Sequence, residues 1–305
     1  MNLHALLTRA AELKIAVIGD FIEDAYILGS VDRISPEAPV PVVNQQIAFS
    51  RPGGAGNVFM NLVGMGVPTD LFCIHSNGGY CWPMEYNDNI KTHEGKHSKK
   101  MRIMSGSHHL LRIDDEIDPM QIEWLPFTAY SWWKELEATM GKYDCIVLAD
   151  YHKGCLSDSL INAIMELSLH YKIPVVVDAK RDYARFKGST VIKCNQKEFD
   201  AMPQWPELYS RWFIVTQGES GIMYTNNEGM AGRTNGHKIN IVDVCGAGDT
   251  VTGVVGMMTA LNEDIQDGVS LANIAASEVC RYAGVHAITK EELIKRWEEV
   301  SGDNA

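Results

Sequence analysis

The residues best placed to do chemistry lie in Ile241–Thr250, IVDVCGAGDT, which runs straight into the helical pattern TVTGVVGMMTAL. Gly246, Ala247 and Gly248 are small enough to let a ligand approach the backbone. Their N–H groups would open a helix N-terminus, where the helix dipole favours negative charge. Asp249 follows within the first turn. A carboxylate there could accept a proton from a substrate hydroxyl while the amides stabilise a transferring phosphoryl group. The same spacing also suits Asp249 as an ordinary first-turn acid, and the residues alone leave both readings open. The chain has no GxxxxGK[ST] and no GxGxxG after its first apolar run. A kinase built on it would use neither a Walker loop nor a Rossmann pyrophosphate turn.

Three further carboxylates follow or end apolar runs: Asp20, Asp150 and Asp178. Ligands of open α/β sheets bind beyond the carboxyl ends of the strands, so these positions form a candidate acidic rim for sugar hydroxyls or a metal. Any one of them alone reads as a cap of a turn or helix. Cys73, Cys81, His93 and His97 have the order C-x7-C-x11-H-x3-H. Structural zinc sites bring their cysteines closer together, and Cys73 sits inside an apolar run, so a core strand is the simpler reading.

The elements that must hold these residues are legible as alternating patterns. Lys14–Gly19, Cys145–Ala149, Pro174–Asp178, Thr190–Lys193 and Trp212–Thr216 are continuous β-branched runs, as expected of parallel strands covered on both faces. Tyr130–Met140, Ser157–His170 and Gln196–Met202 carry helical spacing, with Ser157 and Asn195 as N-caps. Beyond Asp243 the pattern is helical over Ala247–Leu261, Ile265–Gly284 and Thr289–Val300. The alternation predicts a three-layer α/β/α sandwich around a mainly parallel sheet. Tyr26–Gln46, with Pro36, Pro39 and Pro41, reads as extended chain and turn, and Lys99–Asp115 as two strands around a Ser-Gly-Ser turn. Neither fits a crossover, so residues 26–46 and 99–115 are expected to form a small projecting β-sheet, a lid or a dimer surface. No linker divides the chain, and one domain over residues 1–305 is expected.

Composition narrows the partners. The chain has 305 residues, 46% of them hydrophobic, and a formal net charge of −12. That balance disfavours nucleic acid and anionic membranes as partners, though a locally positive pocket could still take an anionic substrate. No apolar run approaches the roughly 18 residues of a membrane span, and the N-terminus does not look like a signal peptide. Seven scattered cysteines without a CxxC pair predict a reduced, cytoplasmic protein.

GAGD opening a late helix, with GGAGN early in the chain, resembles the ribokinase-like, phosphofructokinase-B-type carbohydrate kinases. More narrowly, DRISPEAPVPVV at Asp32–Val43, RPGGAGNV at Arg51–Val58 and DYHKG at Asp150–Gly154 are similar to one bacterial group. Its kinase domains phosphorylate D-glycero-D-manno-heptose 7-phosphate at O1 in ADP-heptose biosynthesis. HLLRIDDE and VVVDAKRDYARFKG match that group too.

The resemblance implies Asp249 as catalytic base and the amides of Gly246, Ala247 and Gly248 as anion hole. It implies Asp20, Gly53, Gly54 and Asn57 on the sugar hydroxyls. Asn195 and Glu198, in NQKE, would organise Mg²⁺ through water. Thr216, Gly218 and Gly221 would lie along ATP, with Asn273 near the adenine. The substrate's own phosphate needs cations, and Arg112 and Lys180 are the candidates. Whether a monovalent cation assists is left open. An acceptor other than the heptose phosphate, or a sugar- or nucleotide-binding scaffold without turnover, are the alternatives.

The departures from the pattern are local. Between Met65 and Lys99 a helix-containing segment of the family is replaced, so a helix flanking the sheet is expected to be missing. Cys245 stands where many relatives have Thr, and Gly56 where they often have Ala. No HxGH-type nucleotidyltransferase motif occurs, so the kinase step alone is expected. An apolar lid edge predicts a homodimer through the lid strands.

Overall fold

The computed structural model describes residues 1–76, 80, 82–106, 108–118, 126–202 and 209–302. Nine strands form the main sheet in the order β13-β12-β11-β10-β9-β8-β1-β4-β5. These are β1 (Ile15–Gly19), β4 (Thr69–His75), β5 (Ile90–Glu94), β8 (Cys145–Asp150), β9 (Val175–Ala179), β10 (Ser189–Asn195), β11 (Ser210–Thr216), β12 (Ile222–Asn226) and β13 (Ala231–Thr234). Pairing is parallel from β5 through to β11, and β12 and β13 add on antiparallel.

Successive side chains of a strand point to opposite faces, and β1 shows the consequence. Ile15 and Val17 enter one apolar core, and Ala16 and Ile18 the other. The first core is closed by α1 (Leu3–Ala10), α2 (Ala55–Gly64), α6 (Ala247–Ala260), α7 (Ile265–Val279) and α8 (Lys290–Gly302). The second is closed by α3 (Trp133–Thr139) and α4 (Asp158–Tyr171), with Phe199 of α5 (Gln196–Asp200) packed at its edge. The three-layer sandwich read from the sequence is the fold observed.

A second sheet stands off the first, in the order β3-β2-β6-β7. Its strands are β2 (Phe21–Ile34), β3 (Pro41–Gly54), β6 (Ser98–Ser105) and β7 (His108–Asp115). It begins and ends beyond the expected 26–46 limits, because β2 starts one residue after Asp20 and β3 runs straight into α2. Pairing is antiparallel for β2–β3 and β6–β7 but parallel for β2–β6.

Two other expectations shift, and a third holds among the described residues. The helix expected over Tyr130–Met140 begins at Trp133, after a short 3-10 turn at Phe127–Ala129. That expected over Ile265–Gly284 stops at Val279. Between β4 and β5 the described residues contain a single 3-10 turn, Met84–Tyr86, where a flanking helix was expected to be missing.

Cys73 takes the core-strand reading. No group of three or more His, Cys, Asp or Glu that could hold a metal is found among the described residues. Cys73 is fully buried in β4, and Cys81 lies outside the described residues. His97 approaches Glu23 at 3.3 Å and stacks on His75, while His93 packs against Tyr130. The described cysteines are all unpaired, with Cys73, Cys145, Cys155 and Cys194 buried, as small core residues are expected to be.

Candidate active site

The end of the sheet where the strands finish carries the candidate residues, and α6 starts there. Gly246 takes φ +83° ahead of the helix, a left-handed conformation that glycine adopts without penalty. It also has no room for a side chain, since an added Cβ would fall 2.6 Å from Asn57 Nδ2. The preceding loop is pinned by Asp243, whose carboxylate accepts from Cys245 N and Gly284 N, each at 3.0 Å. Asp249 through Met258 are all buried, so α6 is a central helix with its N-terminus at the site.

Asp249 is held from two sides. Asn57 Nδ2 donates to Oδ2 at 2.9 Å, and the Tyr151 hydroxyl donates to Oδ1. The orientation of Asn57 is itself fixed. Its Oδ1 accepts from Asn61 Nδ2 at 3.1 Å, and Asn61 Oδ1 accepts from Thr250 Oγ1 at 2.9 Å. Gly54, at φ +58°, turns β3 into α2 and so delivers Asn57; a Cβ there would meet Asp20 O at 2.5 Å. Gly53 lies one residue earlier, paired with Ile22 at the base of the lid. Burial, reinforced by Asp178, pushes the Asp249 carboxyl above its ordinary value, against the Tyr151 and Asn57 hydrogen bonds. A carboxylate raised in this way is a better proton acceptor than a solvated one.

The Asp20 carboxylate is engaged by the chain itself. Its carboxylate accepts from Tyr151 N at 2.8 Å, Lys153 N at 3.0 Å and Cys155 N at 2.9 Å, which shapes the loop after β8. Those donors occupy three of the roughly four acceptor positions of a carboxylate. Burial and the neighbouring Asp150 raise Asp20 to about 7 despite them. Asp150 in turn binds Arg185 at 2.7 Å.

Beside Ala247 and Gly248 lies a cleft of about 380 Å³. Its walls include Asn195 at the end of β10, Thr216 at the end of β11, Gly218 and Gly221 in the next turn, and Asn273 on α7. Asn195 and Glu198 form a capping box at the start of α5: Asn195 Oδ1 accepts from Glu198 N at 2.9 Å, and Glu198 Oε2 from Asn195 N at 2.8 Å. Glu198 Oε1 stays outside the box, 3.8 Å from Lys180 Nζ. That single oxygen suits a magnesium ion held mainly by phosphates and water, which is the usual habit of Mg²⁺.

Beneath the cleft lies a buried charge cluster. Asp178 accepts from Lys193 at 2.7 Å, Lys180 at 2.8 Å and Thr252 Oγ1 at 3.1 Å. Strand register places Lys193 directly opposite Asp178. Burial alone would raise Asp178, but the two ammonium groups outweigh it and hold the carboxyl at about 2. Lys193 Nζ sits 3.1 Å from where a Cβ of Gly248 would be, just under the first turn of α6.

Both cations read as partners of the acceptor's phosphate are paired with carboxylates. Lys180 is drawn by Asp178 and Glu198 to the wall of the cleft. Arg112 is 56% exposed on the outer lid strand and paired with Asp114. The residue opposite it in register, Arg102, is buried against Asp24, with Nη2 3.8 Å from Cys245 Sγ beside the anion hole. The sequence reading missed Arg102, Tyr151 and Lys193. For Lys193 a signal existed: a lysine inside a buried apolar strand demands a carboxylate partner.

Comparisons with known proteins agree with this architecture. The profile described as pfkB family carbohydrate kinase matches residues 122–292. "Bifunctional protein HldE" of Coxiella burnetii is 30% identical over 315 residues, covering 95% of this chain and 65% of that protein. The protein of the same name from Hyphomonas neptunium is 31% identical over 323 residues, covering 96% and 65% respectively. The chain thus spans about two thirds of the length of these relatives, 65%. Among solved structures, phosphofructokinase-2 from Escherichia coli in its tetrameric inhibited form superposes with TM-score 0.71 at 14% identity, covering 95% of this chain and 99% of that one. Ribokinase of Arabidopsis thaliana, complexed with ribose and ATP, gives 0.69 at 13% identity, covering 93% and 98%. At such identities the superpositions speak for the fold alone.

Proposed function

The chain belongs to the pfkB family of carbohydrate kinases, and from that premise we propose that it transfers the γ-phosphoryl group of ATP to O1 of D-glycero-D-manno-heptose 7-phosphate. One observation carries the reading. Asp249 stands buried in the first turn of α6, held by Asn57 and Tyr151, and its neighbours Ala247 and Gly248 line a nucleotide-sized cleft. The acceptor oxygen would attack the γ-phosphorus as the bond to the β–γ bridging oxygen breaks. Asp249 takes the hydroxyl proton, the amides face the equatorial oxygens, and ADP leaves. Thr216, Gly218, Gly221 and Asn273 would line ATP. Asn195 and Glu198 would hold Mg²⁺ through water, which supplies charge neutralisation on the phosphates.

The acceptor is the finer part of this reading, and a second acceptor has an observation in its favour. Arg112, Lys180 and Arg102 are each already paired with a carboxylate, Asp114, Asp178 and Asp24. A panel assay of ADP release with Mg²⁺-ATP decides between them. Turnover of the heptose 7-phosphate well above unphosphorylated sugars and nucleosides is expected. Activity confined to an unphosphorylated acceptor contradicts the heptose-phosphate reading, and binding without ADP points to a non-catalytic scaffold.

We also propose a homodimer through the lid, with residues 1–305 acting as one kinase domain. Ala48, Ile27, Ile103 and Leu111 are aligned across all four lid strands by register, so they share one face. Leu111 and its neighbour Ile113 on that face are 55% and 46% exposed. Light scattering at micromolar concentration should give a dimer for the natural chain and a monomer for Leu111→Lys. A natural chain that is monomeric there contradicts the proposal.

A further inference from the structure

Asp249 has a support that its own helix does not supply. Tyr151, in the loop after β8, is fixed at three points. Its backbone N–H donates to Asp20 Oδ2 at 2.8 Å, its ring lies 4.5 Å from Lys180 Nζ, and its hydroxyl donates to Asp249 Oδ1. We propose that Tyr151 is a positioning residue for phosphoryl transfer, which orients the Asp249 carboxylate and sets the pH at which it can take the acceptor's proton. This rests on the reading of Asp249 as the base.

The geometry accounts for both halves. A carboxylate has two lone pairs on each oxygen, and Tyr151 and Asn57 engage one on each. The plane is therefore fixed, and one lone pair per oxygen is left for an acceptor hydroxyl. The charged groups around Asp249 come from several elements. Asp178 belongs to β9 and Lys180 to the loop after it, Lys193 lies on β10, and Glu198 of α5 sits behind Lys180. Asp178 opposes ionisation of Asp249, while Lys180, Asn57 and the Tyr151 hydroxyl favour it. Burial and the adjacent Asp249 push the Tyr151 phenol well above the usual tyrosine value, so it remains a donor throughout the working range. A merely space-filling tyrosine would need none of this polar alignment.

Tyr151→Phe removes the hydroxyl and keeps the ring over Lys180 and the backbone bond to Asp20. The sign follows from which form the phenol favours. It stabilises the carboxylate, so its loss raises the pKa of Asp249 and leaves less active base at low pH. The acid limb of kcat/KM, followed from about pH 5 to 9, should move up by about one unit and the alkaline plateau of kcat should fall several-fold, with the KM values nearly unchanged. A limb that does not move, with rates unchanged or lowered equally at every pH, overturns the proposal. Should the variant not fold, 3-fluorotyrosine at position 151 provides a stronger donor of the same shape. It should move the limb down, and an unmoved limb again overturns the proposal. Asp249→Asn separates the two failures. If that variant is inactive and the Tyr151→Phe limb stays put, only the role of Tyr151 falls. If it still turns over, the base assignment falls and takes this proposal with it.

Discussion

Asp249→Asn is expected to lower the rate of phosphoryl transfer by about 10²- to 10⁴-fold, the usual contribution of a positioned general base. The substitution keeps size and planarity but leaves no carboxylate to receive the hydroxyl proton. Asn57 can still donate to the amide oxygen, and the Tyr151 hydroxyl can rotate to accept from the new amide nitrogen. The pocket should therefore persist, with nucleotide and sugar phosphate bound at near-natural affinity by calorimetry. Rapid-quench measurement of the transfer step gives the rate itself. Near-normal transfer would return Asp249 to its other reading, a buried first-turn acid that only suits the helix dipole.

The second large effect concerns stability. Asp178→Asn should destabilise the fold by about 3–5 kcal/mol, because Lys193 is then a buried ammonium without its counter-charge. Only 2% of Lys193 is exposed, so water cannot take over the role of the carboxylate. Replacing both partners, Asp178→Leu with Lys193→Met, should recover most of that loss, since desolvation of two charges disappears with the pair. Urea melts of the three chains measure the series. A single variant as stable as the natural chain would mean that the cluster is not holding the strands together.

The same pair makes a pH prediction. Asp178 sits at about 2 when folded, against about 3.9 for a free aspartate. Its contribution, about 2 kcal/mol, is complete above pH 4 and is lost as pH falls through 2. The acid limb of the natural chain's stability should therefore flatten in the Asp178→Leu, Lys193→Met chain.

Much of this arrangement was written in local pattern. Continuous β-branched runs marked β1, β8, β9, β10 and β11 because helices cover both faces of the sheet there. Ser157 and Asn195 marked helix starts because their side chains cap backbone N–H groups, and both do so here. GAGD marked its own helix start, since a glycine can turn the chain into the helix and an acid suits its first turn.

What was not legible depends on contacts distant along the chain. Tyr151 reaches Asp249 only because Asp20, 131 residues earlier, folds the intervening loop by accepting its N–H groups. Lys180 was read as a cation for the acceptor's phosphate; Asp178 beside it and Glu198 nearby decide where it points. Arg112 and Arg102 look alike in sequence. Register puts them opposite each other, but one borders solvent and the other is drawn to Asp24. Charge pairing across strands is a tertiary fact, and spacing does not encode it.

The acceptor side is closed over Asn57 and Asp249, which are 1% and 6% exposed. The central claim is that an acceptor hydroxyl reaches Asp249 there while the terminal phosphate rests on the amides of α6. A crystal structure with D-glycero-D-manno-heptose 7-phosphate and a non-hydrolysable ATP analogue tests it most directly. The account predicts the O1 hydroxyl within about 3 Å of an Asp249 oxygen, in line with a γ-phosphate over Gly246–Gly248. An acceptor bound with every hydroxyl beyond hydrogen-bond reach of Asp249, and another group on its O1, would contradict it.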